Sequence, residues 1–397
     1  MIRNYTLAFA LVSVLAAKEI RFQTDEATWM SVDVSPNGQT LVFDMLGDLY
    51  TVPVVGGKAK AITSGSAFDA QPRFSPDGKQ IAFTSDRDGA LNLWLANVDG
   101  TAARQLSKWK DDRMFSTAWL PDGKSVLVSV VSPPRQGAAD LWRYPVDGGP
   151  AERIKQIATA PALLVSAPAV GVYGVAPSRD GAYLYWASVV PRIYNSRGGA
   201  ASEIVRRDLR TGQEESLTAR TEVAFKPLPS PDGRLFVYAT HYREQTALKV
   251  RDLETQEDKW LKIPVQRDEL EARATRHVLP DYAFTPDSKA LIISYGGKIH
   301  RLELASGKGS VIPFTADVAM TVEDRLDFPV RLEEGPVRAR IAQRPSVSPD
   351  LSPSNKRDCL PIRRPSGPGR GRRQLRGGWV LRCSVLTWRL AGRRRQV

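Results

Sequence analysis

Three histidines, His241, His277 and His300, are all the imidazole chemistry available to this 397-residue chain. No two of them stand two or four residues apart, so no histidine metal pair can be read from the spacing. A Gly-x-Ser-x-Gly elbow, a P-loop and a His-Glu-x-x-His helix are all missing from the sequence. Gly367-Pro368-Gly369-Arg370-Gly371 has the glycine density of a phosphate loop, but it follows no strand pattern and opens no helix. Asp86-Arg87-Asp88 reads either as a charged binding loop or as an Asp-capped loop with Arg87 paired or solvated. His300 falls in a strand pattern, where a satisfied or half-exposed histidine is the ordinary outcome and a ligand role the sharper one. Trp94 and Trp142 occupy equivalent places in a repeat, which favours packing over a ligand platform. The expectation is a chain with no catalytic residue, no cofactor and no metal site of its own.

Those residues sit in a scaffold organised by one phrase, first intact as Ser75-Pro76-Asp77-Gly78. The first residue is expected to accept a hydrogen bond from the backbone two positions on. Proline pre-sets φ at the second, and glycine takes the positive φ that closes the turn. An apolar strand, Ile81-Ala82-Phe83, follows, so the phrase marks a hairpin. It recurs as Ser35–Gly38, Leu120–Gly123, Ser178–Gly181, Ser230–Gly233 and Thr285–Ser288, with last positions 40, 45, 58, 52 and 55 residues apart. The aspartates of the phrase have only a faint resemblance to calcium-ligand spacing, and their turn role accounts for them.

A second signal keeps step with the first. Asn92–Ala96, Asp140–Tyr144, Val205–Leu209, Val250–Leu253 and Ile299–Leu304 each read as a third strand with a polar turn after it. Repeats of about 40–50 residues with four strands each are the pattern of β-propeller blades. The sequence therefore predicts an all-β fold: six recognisable four-stranded blades, an incomplete seventh and an unstructured basic tail. Lys18–Phe22 is the candidate strand for closing the ring, completing a blade that the other terminus supplies. If six blades close, the module is stable; if seven are needed, the ring is open and exposes strand edges.

The seventh phrase starts with Val337–Ile341 and Ser348-Pro349-Asp350, then meets Leu351 where glycine belongs. From Ser346 onward 13 Lys/Arg face only Asp350 and Asp358, a net of +11, so of the total +13 the rest of the chain carries 13 − 11 = +2. Both cysteines, Cys359 and Cys383, lie in this stretch. The body thus has no disulfide or cysteine metal site, and its near-neutral charge gives no reason to expect a nucleic-acid partner. Two readings of the tail follow: a natural basic extension, or a shift of reading frame near Asp350 that removes whatever domain came next. The coding DNA beyond codon 350 discriminates them.

At the other end, Arg3 precedes an apolar run from Tyr5 to Ala17, with Ala16 and Ala17 just before Lys18. This is the layout of a secretory leader cleaved after Ala16 or Ala17, and the run is short for a membrane span of about 20 residues. The domains expected are a leader at 1–17, a propeller at 18–345 and a tail at 346–397, in a periplasmic or secreted protein with no transmembrane segment after cleavage.

The phrase S-P-D-G-K-x-I/L-A-F, as it stands at Ser75–Phe83, resembles that of the TolB-type β-propeller family over about Lys18 to Asp350. The opening stretch, Lys18 to Gly100, further resembles the N-terminal propeller of exported bacterial proteins in which a metal-dependent amidohydrolase domain follows. That resemblance implies a His-x-His-bearing barrel which this chain does not contain. Two functions follow as expectations: a non-catalytic exported scaffold that binds a protein or peptide through a propeller face or its central channel, or an accessory gating or docking domain of an amidohydrolase or peptidase. A lone hydrolase built from the propeller itself predicts turnover by the purified chain, and none is expected.

Overall fold

The computed structural model describes residues 18–110, 113–131, 139–156, 171–190, 201–218, 223–243, 245–267 and 279–322. Among these there is no helix; every regular element is a strand. The leader, His277, the broken seventh phrase and the tail lie outside the described residues.

Strand β1 is Lys18–Thr24. The first blade follows as Val32–Val34, Thr40–Met45, Asp48–Pro53 and Gly57–Ala61 (β2–β5). The second is Asp69–Phe74, Gln80–Ser85, Asn92–Asn97 and Arg104–Gln105 (β6–β9). The third is Arg113–Trp119, Ser125–Val131, Asp140–Pro145 and Glu152–Lys155 (β10–β13). The fourth is Gly171–Pro177, Tyr183–Val190, Ala201–Asp208 and Glu214–Ser216 (β14–β17). The fifth is Ala224–Pro229, Leu235–Tyr242, Gln245–Asp252 and Asp258–Arg267 (β18–β21). The sixth is Ala283–Phe284, Ala290–Tyr295, Lys298–Glu303 and Gly309–Ile312 (β22–β25). Phe314–Val322 is β26. Each blade is a meander of consecutive strands, hydrogen-bonded in sequence order.

The repeated phrase joins the first and second strands of every blade. Its serine works differently from the expectation. Asp77 accepts the Lys79 N–H two residues on (3.1 Å), while Ser75 Oγ donates to Asp77 (2.7 Å) and accepts the Gln80 N–H (2.9 Å). The serine hydroxyl, with the backbone amide of Lys79 behind it, holds the Asp77 carboxyl below its usual range. Some of these turns also approach the turn of the preceding blade. A side chain on Gly78 would meet Pro36 at 3.3 Å, and one on Gly38 would meet Pro286 at 3.4 Å. The second contact joins the turn of the sixth blade to that of the first.

Blades stack through apolar faces. Tyr185 of the fourth stacks on Phe236 of the fifth (6.2 Å), and Ala283, Ile292 and Ile299 of the sixth share one buried cluster with Val32, Leu41 and Phe43 of the first. Six blades therefore close upon themselves. Among the described residues no strand is exchanged between the first and last blades. Instead β26 runs back to the outer edge of the first blade, parallel to β5, and β1 pairs antiparallel with β26. The anticipated strand at Lys18–Phe22 does meet the C-terminal end of the ring, but as an extension of the first blade and not as a member of the last. Strand β26 went unread in the sequence, although its Phe314, Ala316 and Val318 alternate cleanly with exposed residues.

Candidate functional site

The inner strands of the six blades surround a cavity of about 450 Å³ that opens among the phrase turns. Aligned on the phrase, the residue four places before its first position is Ser31, Gln71, Ser116, Gly174, Lys226 and Asp281 in blades one to six. In blades two to five the inner strand is bulged at this residue, with register shifts at Ala70/Arg73, Phe115/Ala118, Tyr173/Ala176 and Phe225/Leu228. Gln71, Ser116, Gly174 and Lys226 take φ of +55°, +60°, +64° and +53° there. A left-handed residue in a bulge re-aims its side chain, and here it turns that residue toward its neighbours around the axis.

A belt of hydrogen bonds results, passing from blade to blade. Asp44 Oδ1 accepts the Ser31 N–H (2.6 Å) and its Oδ2 accepts the Gln71 N–H (2.8 Å). Gln71 Oε1 accepts the Ser116 N–H (3.0 Å), and Ser116 Oγ accepts the Gly174 N–H (3.1 Å). Glycine at 174 combines the positive φ with a close approach: a side chain there would lie 3.2 Å from the Lys226 backbone. Lys226 Nζ then pairs with Asp281 Oδ1, and Asp281 N–H donates to Ser31 Oγ (3.3 Å), which completes the circuit.

Asp281 is the hub of the charged part. Besides Lys226 it faces Arg73 Nη2 at 3.5 Å, and its carbonyl accepts the Val32 N–H at 3.0 Å. Arg73 also donates to the Tyr282 carbonyl (3.3 Å) and reaches Asp33 (3.5 Å), whose other oxygen accepts the Phe74 N–H (2.8 Å). Residues of blades five, six, one and two thus meet around one carboxylate. Burial pushes Lys226 below its ordinary value, with Asp281 beside it opposing the shift. Burial likewise raises Asp33, against the pull of Arg73. Asp44 is pushed up to about 7 by burial, its two amide donors notwithstanding, and the like charge of Asp281 adds to the rise.

The belt also narrows the bore. Side chains projecting into an open, water-filled channel would be wet, yet Ser31, Ser116, Lys226 and Asp281 are 5%, 3%, 7% and 3% exposed. Gln71 and Gly174 are half-buried, and the cavity is a funnel with its mouth among the turns and its narrow end at the belt. Its rim is the ring of turn prolines, interrupted in the fourth blade by exposed Arg179. Its walls set Phe74, Trp119, Leu228 and Phe284 among serine and threonine side chains, and its floor is the ionic belt.

The turns of the repeated phrase form the rim, but Asp86, Arg87, Asp88, Trp94, Trp142, His241 and His300 are not among the residues lining this funnel. Arg87 binds Asp69 through Nη2 (2.8 and 2.7 Å) and covers the Phe83 and Trp94 rings at 5.3 and 4.9 Å. Asp86 accepts the Phe68 N–H at 2.7 Å. Trp94 and Trp142 are half-buried against the first–second and second–third blade interfaces, with Arg87 and Arg153 over their rings. The His300 ring stacks on Tyr295 (3.7 Å), its Nε2 donates to the Tyr295 carbonyl (3.2 Å), and burial lowers its pKa. His241 lies against Phe225 (5.7 Å). Among the described residues no group of three His, Cys, Asp or Glu side chains could hold a metal ion. The belt residues were missed because each stands alone in an otherwise ordinary inner strand. Stacking the six strands on the phrase exposes them as a column.

Comparison with known proteins places this fold. The family described as the tricorn protease N-terminal β-propeller domain matches residues 30–237, just over half of the chain. Tricorn protease homolog 1 of Streptomyces coelicolor is 33% identical over 144 residues, which cover 34% of this chain and 13% of that protein. The uncharacterized peptidase YuxL of Bacillus subtilis is 28% identical over 186 residues, covering 46% of this chain and 23% of that one. This chain thus spans only a small part of the length of these relatives. Among solved structures, the putative TolB from Agrobacterium tumefaciens superposes with a TM-score of 0.50 at 20% identity, over 68% of this chain and 87% of that one.

Proposed function

The chain belongs to the tricorn protease N-terminal β-propeller family, and from that premise we propose that it is a non-catalytic, exported binding propeller whose funnel receives a short extended stretch of peptide. The observation that carries this reading is the funnel itself: about 450 Å³, with aromatic and aliphatic side chains in a mixed wall, open on the turn face and narrowed at the belt. Concave, mostly apolar sites with a few convergent polar groups are the usual form of a ligand site. Unpaired main-chain groups of a peptide would find acceptors and donors at the rim and floor, while its side chains met Phe74, Trp119 and Leu228. The leader pattern at 1–17 supports export. The relatives named for peptidase activity support a second role for the same funnel, as the docking element of a hydrolase whose catalytic domain lies outside this sequence. With those relatives, a peptidase partner is better supported than the amidohydrolase implied by the opening stretch.

Titration of the purified chain with a panel of short apolar and mixed peptides tests the reading, with tryptophan fluorescence reporting on Trp119. Saturable change is expected, and Leu228→Arg, which places a charge beside the wall's apolar side chains, should weaken it at least about tenfold. A panel that leaves fluorescence unchanged, or binding indifferent to Leu228→Arg and Trp119→Phe, refutes a funnel site. Peptide turnover by the purified chain would refute the non-catalytic part.

A further inference from the structure

The six outer edges of the propeller are not treated alike. In blades two, three, four and six the outermost strands are two, four, three and four residues long. In blade five the ten-residue β21 contains Pro264 and loses register at Thr246/Leu248 and Leu248/Lys249. Short, proline-bearing or bulged edges are how sheet proteins prevent edge-to-edge pairing. The first blade ends differently. Beyond β5 it adds β26 and then β1, seven residues in unbroken one-to-one register from Lys18↔Val322 to Thr24↔Ala316. Among the described residues no strand lies outside β1.

This edge also carries apolar surface. Ile20, Phe22 and Val322 are 40%, 42% and 42% exposed. The pairing places them on the face of Met320, Val318 and Ala316, which continues inward as the buried cluster between the first and sixth blades. The apolar face of the sheet therefore runs past the point where the sixth blade covers it.

We propose that the free edge of β1 is a homodimer edge, on which a second copy of the chain adds its own β1 antiparallel about a two-fold axis at Ile20. The side-chain order selects this occupant and this register. With Ile20 opposite Ile20 of the second copy, Glu19 faces the Arg21 of the other strand twice, and Lys18 lies across from Phe22. Centring the axis on Arg21 instead would place two arginines directly opposite, which is unfavourable. Glu19 and Arg21 are already on one face, paired at 2.6 Å and largely exposed, so they can exchange partners without disturbing the fold. The result is a self-complementary contact of the kind a two-fold axis requires, with main-chain bonds along the five residues Lys18–Phe22 of each copy and a continuous strip of Ile20 and Phe22 from both.

Sedimentation velocity on the full chain across a concentration series, with hydrogen exchange of β1 followed in parallel, tests the proposal. Expected are a concentration-dependent dimer and β1 amides that slow as it forms. Glu19→Arg and Arg21→Glu each place like charges opposite at two symmetric positions, and each should raise the dimer Kd about tenfold. The double swap restores opposite charges and should return the Kd to within about threefold of the original. Ile20→Lys, at the axis, should leave a monomer whose thermal melt is unchanged. A chain that stays monomeric up to about 100 μM overturns the proposal. So does a dimer that ignores the charge swaps, or one that forms without slowing β1 exchange. None of these outcomes bears on peptide binding in the funnel, which lies at the axis of the ring.

Discussion

The two halves of the belt solve the same problem with different chemistry. Around blades three and four it is made of Ser116, Thr117 and Gly174, small and neutral, tied by single hydrogen bonds such as Thr117 Oγ1 to the Gln71 carbonyl at 2.8 Å. Around blades five, six, one and two it is made of Lys226, Asp281, Asp33, Arg73 and Asp44. The neutral half joins blades that the chain itself links in sequence. The charged half joins blades five and six and blades one and two, and it also spans the joint between the sixth blade and the first, where the chain's own link is β26 laid along β5. The ionic groups reach across more than one blade: Arg73 of the second touches Asp281 and Tyr282 of the sixth.

This contrast can be broken most forcefully at its hub. Asp281→Ala leaves Lys226 and Arg73 in a site built for a carboxylate, and uncompensated buried charge costs about 3–5 kcal/mol. Ser116→Ala, in the neutral half, removes one acceptor and should cost about 1–2 kcal/mol. Chemical denaturation of both variants checks the difference; equal losses would mean that the charged half has no special role in closure.

A smaller effect comes with pH. The Asp44 carboxyl sits at about 7 in the folded chain, well above the ordinary value near 4. The folded state therefore holds a proton that the unfolded chain releases. Asp44 favours folding fully below about pH 4, and that contribution is lost as the pH rises to about 7. Asp48, raised to about 6 by burial and then by the neighbouring charge of Asp69, acts in the same direction. Thermal melts between pH 5 and pH 8 should show stability falling. Asp44→Asn should flatten that fall by about 1–2 kcal/mol, whereas Ser116→Ala should leave its slope intact. A profile unchanged by Asp44→Asn would remove Asp44 from the account.

The least effect is expected where the two regions are alike. Gly38→Ala lies at the joint and Gly123→Ala away from it, both at positive φ (+72° and +68°), and added methyl groups meet neighbouring prolines at 3.4 and 3.9 Å. Each should cost about 1–2 kcal/mol, and the pair should agree within about 0.5 kcal/mol. A markedly larger loss at Gly38 would show that the turns, too, carry a special burden at the joint.

How far the sequence reached follows from the physics of each feature. The phrase was legible because turn chemistry is local: proline, aspartate and glycine declare their backbone needs without reference to the rest of the fold. Six blades and their third strands followed from its recurrence. Strand β26 escaped because Phe314–Val322 carries no phrase and gains its place only by pairing with β5 and β1. The belt escaped for a related reason. Asp281 and Arg73 are far apart in sequence, and each looks like an ordinary polar residue in its own strand. Their positions four and two places before the phrase acquire meaning only when six strands face one axis. For Arg87 the sequence offered a binding loop or a paired or solvated side chain; its partner Asp69 and the two rings beneath it are tertiary facts.

Hydrogen exchange at the belt amides addresses the central claim, that six blades close into a ring held together at the charged joint. The reporters are the N–H groups of Ser31, Val32 and Gln71 at the joint, which donate to Asp44 and to the Asp281 carbonyl, and those of Ser116 and Gly174 in the neutral half. A closed ring predicts that both sets exchange only with global unfolding and at matching free energies. Fast exchange at Ser31, Val32 and Gln71 with Ser116 and Gly174 still protected would show an open joint, and would contradict the account.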